Sequence, residues 1–291
     1  MEGRARAPAA GTVLNALANR RGSAFAIDRS VEAHVELEAA GGFSGEIEGA
    51  PGADTTLIER CAELVIDRFG AEQGGVISTE SEVPLASGLK SSSAAANATV
   101  LATLDALGLT VQPEATAGDE LTRLEAARLG VEAARDAGVT VTGAFDDASA
   151  SMLGGVTVTD NESDTLLHRE AVDWDVLVWT PPERAYSAEA SVDRCQRLAP
   201  LADFIADTAL DGRYSQAMTV NGFAFCAALD FPTEPLLEAL PDAWGVSLSG
   251  TGPSVTAIGP ADGLATVQAR WEQREGDTWV TTTRNDGART T

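Results

Sequence analysis

The most informative string in this 291-residue chain is Pro84-Leu85-Ala86-Ser87-Gly88-Leu89-Lys90-Ser91-Ser92-Ser93-Ala94. A glycine-bearing loop runs into an alanine-rich segment, Ser91 to Leu107, which reads as a helix stopped by Gly108 at the C′ position. The first turn of that helix is three serines. A helix N-terminus presents unpaired backbone N–H groups and about half a positive charge, which together favour an anion. Gly88 lets backbone approach the anion closely. Serine hydroxyls add donors to phosphate or an oxygen for Mg²⁺, and Lys90 can neutralise a polyphosphate. This is not a Walker A loop, because Leu89 separates Gly88 from Lys90 and position 83 is Val. Gly-Leu-Lys-Ser alone would be an ordinary serine-capped helix. The whole eleven-residue string reads as a phosphate site.

Two further motifs lie downstream. Ser249-Gly250-Thr251-Gly252-Pro253-Ser254 sits between apolar runs Val246–Leu248 and Val255–Ile258. Its two glycines permit a tight turn with amides aimed at one anion. It lacks the third glycine of a dinucleotide fingerprint and lies between strands, so a Rossmann site is not supported. Thr142-Gly143-Ala144-Phe145-Asp146-Asp147 precedes an apolar helix that ends at Gly154-Gly155. The paired acids suit N-cap and N1 positions, or a cleft in which a carboxylate takes a proton from a hydroxyl nucleophile.

Around these motifs, residues 12–48 read as extended, with Val31 to Glu38 alternating at period two. Helical patterns run from Asp54 to Phe69, from Asp119 to Ala137, in two or three pieces between Ala188 and Leu229, from Thr233 to Leu240, and from Ala261 to Trp271. Short strands are expected at Val76–Thr79, Val139–Val141, Val156–Thr159, Val176–Trp179 and Thr278–Thr283, and a frayed tail after that. Strand-rich and helix-rich blocks without regular βαβ alternation indicate an α+β class, with a boundary near 155–175.

Composition sets the outer limits. A hydrophobic fraction of 44% supports a core, and the length suggests about two domains at ~150 residues each. Forty-four acidic against 20 basic side chains give a net charge of −24, which argues against nucleic acid or an anionic membrane as partner. No segment approaches the roughly 18 apolar residues of a membrane span, and the N-terminus has no continuous apolar stretch of a secretory signal. Cys61, Cys195 and Cys226 show no C-x-x-C spacing, which suits reduced thiols in a cytoplasm. Lys90 is the only lysine beside 19 arginines. Acidic surplus with lysine nearly eliminated is the habit of proteins in molar salt, where the Debye length is only ~3 Å. A lysine that survives such depletion is a candidate for necessity.

The three motifs, in this order and at these separations, resemble the GHMP kinase superfamily over residues 10–275. Its phosphate loop, P-x-x-x-G-L-x-S-S-[SA]-[AS], matches Pro84 to Ala94. Its C-terminal glycine motif matches Leu248 to Ser254, and its catalytic aspartate stands seven residues before a Gly-Gly pair, which here selects Asp147, with Asp146 one step earlier as the N-cap or the alternative catalytic carboxylate. Within the superfamily, SGLKSSSA, TGAFDDA and the opening GTVLNA look like archaeal-type shikimate kinases. The resemblance implies a two-lobed α+β fold: an N-terminal lobe over 1–160 like ribosomal protein S5 domain 2, and a ferredoxin-like C-terminal lobe over 161–291. It implies ATP and Mg²⁺, a small-molecule substrate with shikimate first, and transfer of the γ-phosphoryl to give shikimate 3-phosphate. Homoserine or another small alcohol is the alternative substrate, and a nucleotide-binding regulator on the same fold is the non-enzymatic alternative. By position, Gly88 to Ser93 cradle phosphates and Ser92 is the Mg²⁺ ligand. Asp147 is base or substrate orienter, and Gly250, Thr251 and Gly252 close over phosphate and substrate. Three departures accompany it. Thr12 stands where mevalonate-type relatives carry a lysine, the acidic Mg²⁺ ligand falls on Asp136 or Glu132, and Ala18–Ala24 has one glycine where relatives tend to have two. A carboxylate substrate calls for an arginine, with Arg20 and Arg21 adjacent to the first motif.

Overall fold

The computed structural model describes residues 1–112, 121–185 and 190–291. One sheet is built from β1 (Glu2–Leu14), β2 (Arg21–Glu38), β3 (Phe43–Ile47), β4 (Gly74–Ser81), β5 (Val156–Asp160), β6 (Thr165–Glu170) and β11 (Arg289–Thr290). Its main path is β11-β1-β2-β4-β3, and β5 pairs with both β2 and β6. The 18 residues of β2 make this possible, since its Arg21–Phe25 end pairs with β5 and its Val31–Glu38 end with β4. The period-two reading of that second half is realised: Val31, Ala33, Val35 and Leu37 are buried while Glu32, Glu36 and Glu38 are exposed.

Helices α1 (Thr56–Phe69), α2 (Ser91–Ala106), α3 (Arg123–Asp136) and α4 (Phe145–Leu153) accompany this sheet. α2 is the central one and is buried almost all round. Its small residues let neighbours come close: a Cβ on Gly3 of β1 would stand 2.1 Å from the Ala102 carbonyl oxygen. α3 opens on a capping box between Thr122 and Glu125, while the expected start at Asp119 lies outside the described residues.

The second sheet, β10 (Asp277–Thr282), β7 (Asp175–Thr180), β9 (Val255–Gly259) and β8 (Gly245–Leu248) in that order, is antiparallel throughout. With it go α5 (Val192–Gln196), α6 (Ala199–Leu210), α7 (Tyr214–Leu229), α8 (Glu234–Ala239) and α9 (Ala261–Trp271). The expected helical region beginning at Ala188 likewise starts outside the described residues. A single apolar cluster joins Leu14 and Phe25 of the first sheet to Val176 of the second and to Phe225 of α7 and Trp271 of α9, so the two halves share a core.

Two expectations are corrected. Val139–Val141 is no strand: Gly138 turns left-handed at φ 67° and Val139 N–H closes back on the Ala134 carbonyl, so the segment serves to end α3. The C-terminal tail is not frayed. Ala288 is buried, its N–H reaches the Met152 carbonyl, and β11 pairs with β1. The chain passes from the first sheet to the second between Glu170 and Asp175 and returns to the first at β11, and residue 160 is the last of β5 in the β5–β6 hairpin. Among the described residues no helix is long and apolar enough to cross a membrane.

Candidate active site

The phosphate-loop string forms a loop between β4 and α2, and its carbonyls from Ala86 to Leu89 are all engaged. Ala86 O accepts from Ala185 N at 3.1 Å, Ser87 O from Ser254 N at 3.1 Å, Gly88 O from Ser249 Oγ at 2.9 Å and Leu89 O from Ala10 N at 3.2 Å. Ser87 Oγ donates to Pro84 O at 2.8 Å, and buried Leu89 anchors the loop in the core. The first α2 amide to reach a helical carbonyl is Ala94 N, at 3.0 Å from Lys90 O. The amides of Ser91, Ser92 and Ser93 therefore stand at the open helix end, with the Ser92 side chain exposed, Ser93 half-buried and Ser91 buried. Gly88 has φ 84°, and a Cβ there would lie 2.2 Å from the Ser249 carbonyl oxygen. The arrangement leaves three serine amides able to donate to an anion.

Lys90 caps α2 in the left-handed region at φ 65°, ψ 28°, a conformation that costs a side-chain-bearing residue on the order of 1 kcal/mol or more. Its ammonium lies 2.8 Å from Asp147 Oδ1, and the two side chains are only 9% and 13% exposed. A Cβ on Gly250 would be 2.9 Å from that same Nζ. The three sequence motifs thus meet at one atom.

Asp146 and Asp147 are the second and third residues of α4, behind an Ala144 cap at φ 51°. Asp146 is therefore not the N-cap. It is buried, Asn161 Nδ2 donates to its Oδ1 at 2.6 Å, and its own N–H donates to Asn161 Oδ1 at 3.1 Å. Burial, and then the neighbouring Asp147 carboxylate, push its pKa up to about 7 against the opposing pull of Lys90 and Asn161. Gly22, the lone glycine of its segment, is required by this contact, since a Cβ there would lie 2.5 Å from the Asp146 carboxyl carbon.

The second glycine loop is used differently from the expected nest. Gly250 N–H donates to Thr12 Oγ1 at 2.7 Å and Gly252 N–H to Ser249 O at 2.9 Å, so neither amide turns to a shared anion point. The loop braces the first one instead. Asn15 Nδ2 holds Gly250 O at 2.7 Å, Asn15 N–H donates to Asn221 Oδ1 at 2.9 Å, and Asn221 Nδ2 reaches Ser247 Oγ at 2.9 Å. Thr12, Asn15, Asn161 and Asn221 were not assigned from sequence, although a buried asparagine between Leu14 and Ala16 is a polar group in an apolar run, which is a signal.

Of the other candidates, Asp136 accepts from Arg60 Nε of α1 at 2.8 Å, and Glu132 is exposed on α3. Among the described residues no group of three or more His, Cys, Asp or Glu gathers to hold a metal ion. Arg20 is exposed and its carbonyl receives Asn161 N–H at 2.8 Å, while Arg21 lies 3.8 Å from Asp207 of α6.

The GHMP kinase N-terminal domain family matches residues 56–155, from α1 to the glycine pair after α4. Over 292 aligned residues covering all of both chains, the sequence is 64% identical to shikimate kinase of Halobacterium salinarum. The chain belongs to the shikimate kinases of the GHMP superfamily. It is also 50% identical to the Methanococcoides burtonii shikimate kinase, covering 98% of this chain and 97% of that one. Solved structures agree in fold. Methanococcus jannaschii mevalonate kinase superposes with a TM-score of 0.75 at 14% identity, covering 98% of this chain and 99% of that one. Cytophaga hutchinsonii homoserine kinase gives 0.74 at 17%, covering 100% and 97%. The kinase is thus a two-lobed α+β GHMP enzyme with ATP as phosphate donor.

Proposed function

We propose that the enzyme phosphorylates shikimate to shikimate 3-phosphate in the cytoplasm, with Asp147 acting on the substrate hydroxyl and the α2 end holding the phosphates of ATP. The observation that carries this reading is the Lys90–Asp147 ion pair at the mouth of α2, which joins the anion cradle to a carboxylate. The 64% identity to a whole shikimate kinase supports the choice of substrate.

In the reaction the substrate hydroxyl oxygen forms a bond to the γ-phosphorus, the bond from that phosphorus to its bridging oxygen breaks, and ADP leaves. The hydroxyl proton passes to Asp147. Such a transfer needs chiefly positioning and charge neutralisation. The serine amides and Gly88 position the phosphates, and Lys90 supplies a compact cation between them and Asp147. Ser92, exposed at the helix end, would offer an oxygen to Mg²⁺, which would neutralise charge on the ATP phosphates. Gly250, Thr251 and Gly252 close the phosphate side, while Arg20 or Arg21 meets the substrate carboxylate. Asp146, buried behind the pair, fixes α4 to the β5–β6 turn through Asn161. The lobe over 1–160 carries these phosphate and carboxylate groups, and 161–291 supplies the bracing glycine loop.

Product identification tests the proposal. Incubation with ATP, Mg²⁺ and shikimate should give a phosphomonoester whose ³¹P signal couples to the proton on carbon 3. ATP consumption that yields inorganic phosphate alone would refute the transfer.

A further inference from the structure

Trp and Tyr are scarce in this chain, with five and two copies, yet two of the tryptophans and one of the tyrosines gather around one cleft. Trp174, Tyr214 and Trp244 line a space of about 250 Å³ together with Glu170, Val172 and Ile258. None of these residues belongs to the three motifs. The cleft lies where β6 ends, before β7 begins, and at the start of α7.

The arrangement of groups is specific. The rings of Trp174 and Tyr214 are inclined at 57° with centroids 5.8 Å apart, and Trp174 is backed edge-on by Phe25 at 5.7 Å. Tyr214 Oη donates to Glu170 Oε2 at 2.7 Å, which fixes the carboxylate beside the rings. His168 Nε2 stands 3.7 Å from the same oxygen. Trp244 leaves 57% of its surface to solvent at the edge of the cleft, an unusual place for an indole in so acidic a protein. Among the described residues no Lys or Arg lines the space.

Aromatic faces carry negative potential and attract cations, and a carboxylate adds a full charge. An inorganic cation is poorly served here, because the oxygens of Glu170, Tyr214 and Ser215 share the lining with Val172, Ile258 and ring faces and do not make a shell that replaces its water. A cation with an apolar surface finds both kinds of wall: methyl groups against the rings, Val172 and Ile258, and positive charge against Glu170, with Gly212 and Ser215 completing the lining. We propose that this cleft is a second binding site, for a small organic cation bearing a methylated ammonium group. It is separate from the phosphoryl-transfer site.

The probe is tetramethylammonium chloride, titrated at constant molar KCl and followed by saturation-transfer NMR, with tert-butanol as the uncharged analogue of similar shape. The cation should bind saturably and the alcohol should not. Trp244→Ala should weaken the cation about tenfold, the scale of one lost cation–π face, and Trp244→Phe should restore most of it. Glu170→Gln, which keeps an acceptor for Tyr214, should weaken it several-fold. All three variants should keep wild-type turnover and unfolding midpoint. Equal binding of the alcohol would overturn the proposal. So would cation binding that neither Trp244→Ala nor Glu170→Gln changes, which would be attraction to the acidic surface at large.

Discussion

The ammonium of Lys90, the only lysine in the chain, lies 2.8 Å from Asp147 Oδ1, and both side chains are largely withdrawn from water. Lys90 holds this place from a left-handed backbone position where glycine would be comfortable. A strained cap that persists indicates that the side chain is required there. Lys90→Met should therefore lower turnover by ~10²-fold, the range for losing a group that positions a proton acceptor, and weaken ATP binding in calorimetry. Lys90→Arg should recover part, since a planar fork replaces a compact ammonium. Unchanged turnover and affinity in Lys90→Met would remove the residue from the mechanism.

Asp147→Asn separates the two ends of the pair. Turnover should fall by ~10²-fold or more, as expected when a positioned base is lost. ATP should bind as well as in the wild type or more tightly, because the freed ammonium has only the phosphates to neutralise. Weaker ATP binding in this variant would mean that Asp147 serves the nucleotide rather than the acceptor hydroxyl.

Asp146 should show itself in pH dependence. Its carboxyl has a folded pKa of about 7 against an ordinary 3.8, so the folded state retains a proton that the unfolded chain has already lost. Between these values the native state binds more protons, and stability falls as pH rises from about 4 to about 7. Asp146→Asn keeps an acceptor for Asn161 and removes the titration. Its unfolding free energy should match the wild type near pH 4 and exceed it at pH 8. A constant difference across this range would show that Asp146 does not titrate with folding.

Thr12→Val tests the bracing of the glycine loop. The substitution keeps shape but leaves the buried Gly250 N–H without an acceptor, at a cost of about 1–3 kcal/mol. Denaturant unfolding should show that loss, and Thr12→Ser should restore most of the stability.

Much of this site was legible in sequence because its parts are local. A loop entering a serine-rich helix and a two-glycine turn each follow from backbone needs that residue types reveal, while the seven-residue step from Asp147 to Gly154 is what the family resemblance implies. What was not legible is long-range. The Thr12–Gly250 bond spans 238 residues and the Asn15–Asn221 bond 206, and no local pattern encodes either. Asp146 was misplaced for the same reason: its neighbours Gly22 and Asn161 come from β2 and the β5–β6 turn, and only their approach buries it. The tail was misjudged because a two-residue edge strand, Arg289–Thr290, carries no period of its own.

The central claim is that this chain transfers phosphate from ATP to shikimate. Coupled ADP release in molar KCl, with shikimate, homoserine and mevalonate in separate reactions, tests it most directly. Shikimate alone should support turnover, and Asp147→Asn should abolish nearly all of it. Turnover with homoserine or mevalonate and none with shikimate would contradict the account, as would ADP release that is the same with no acceptor present.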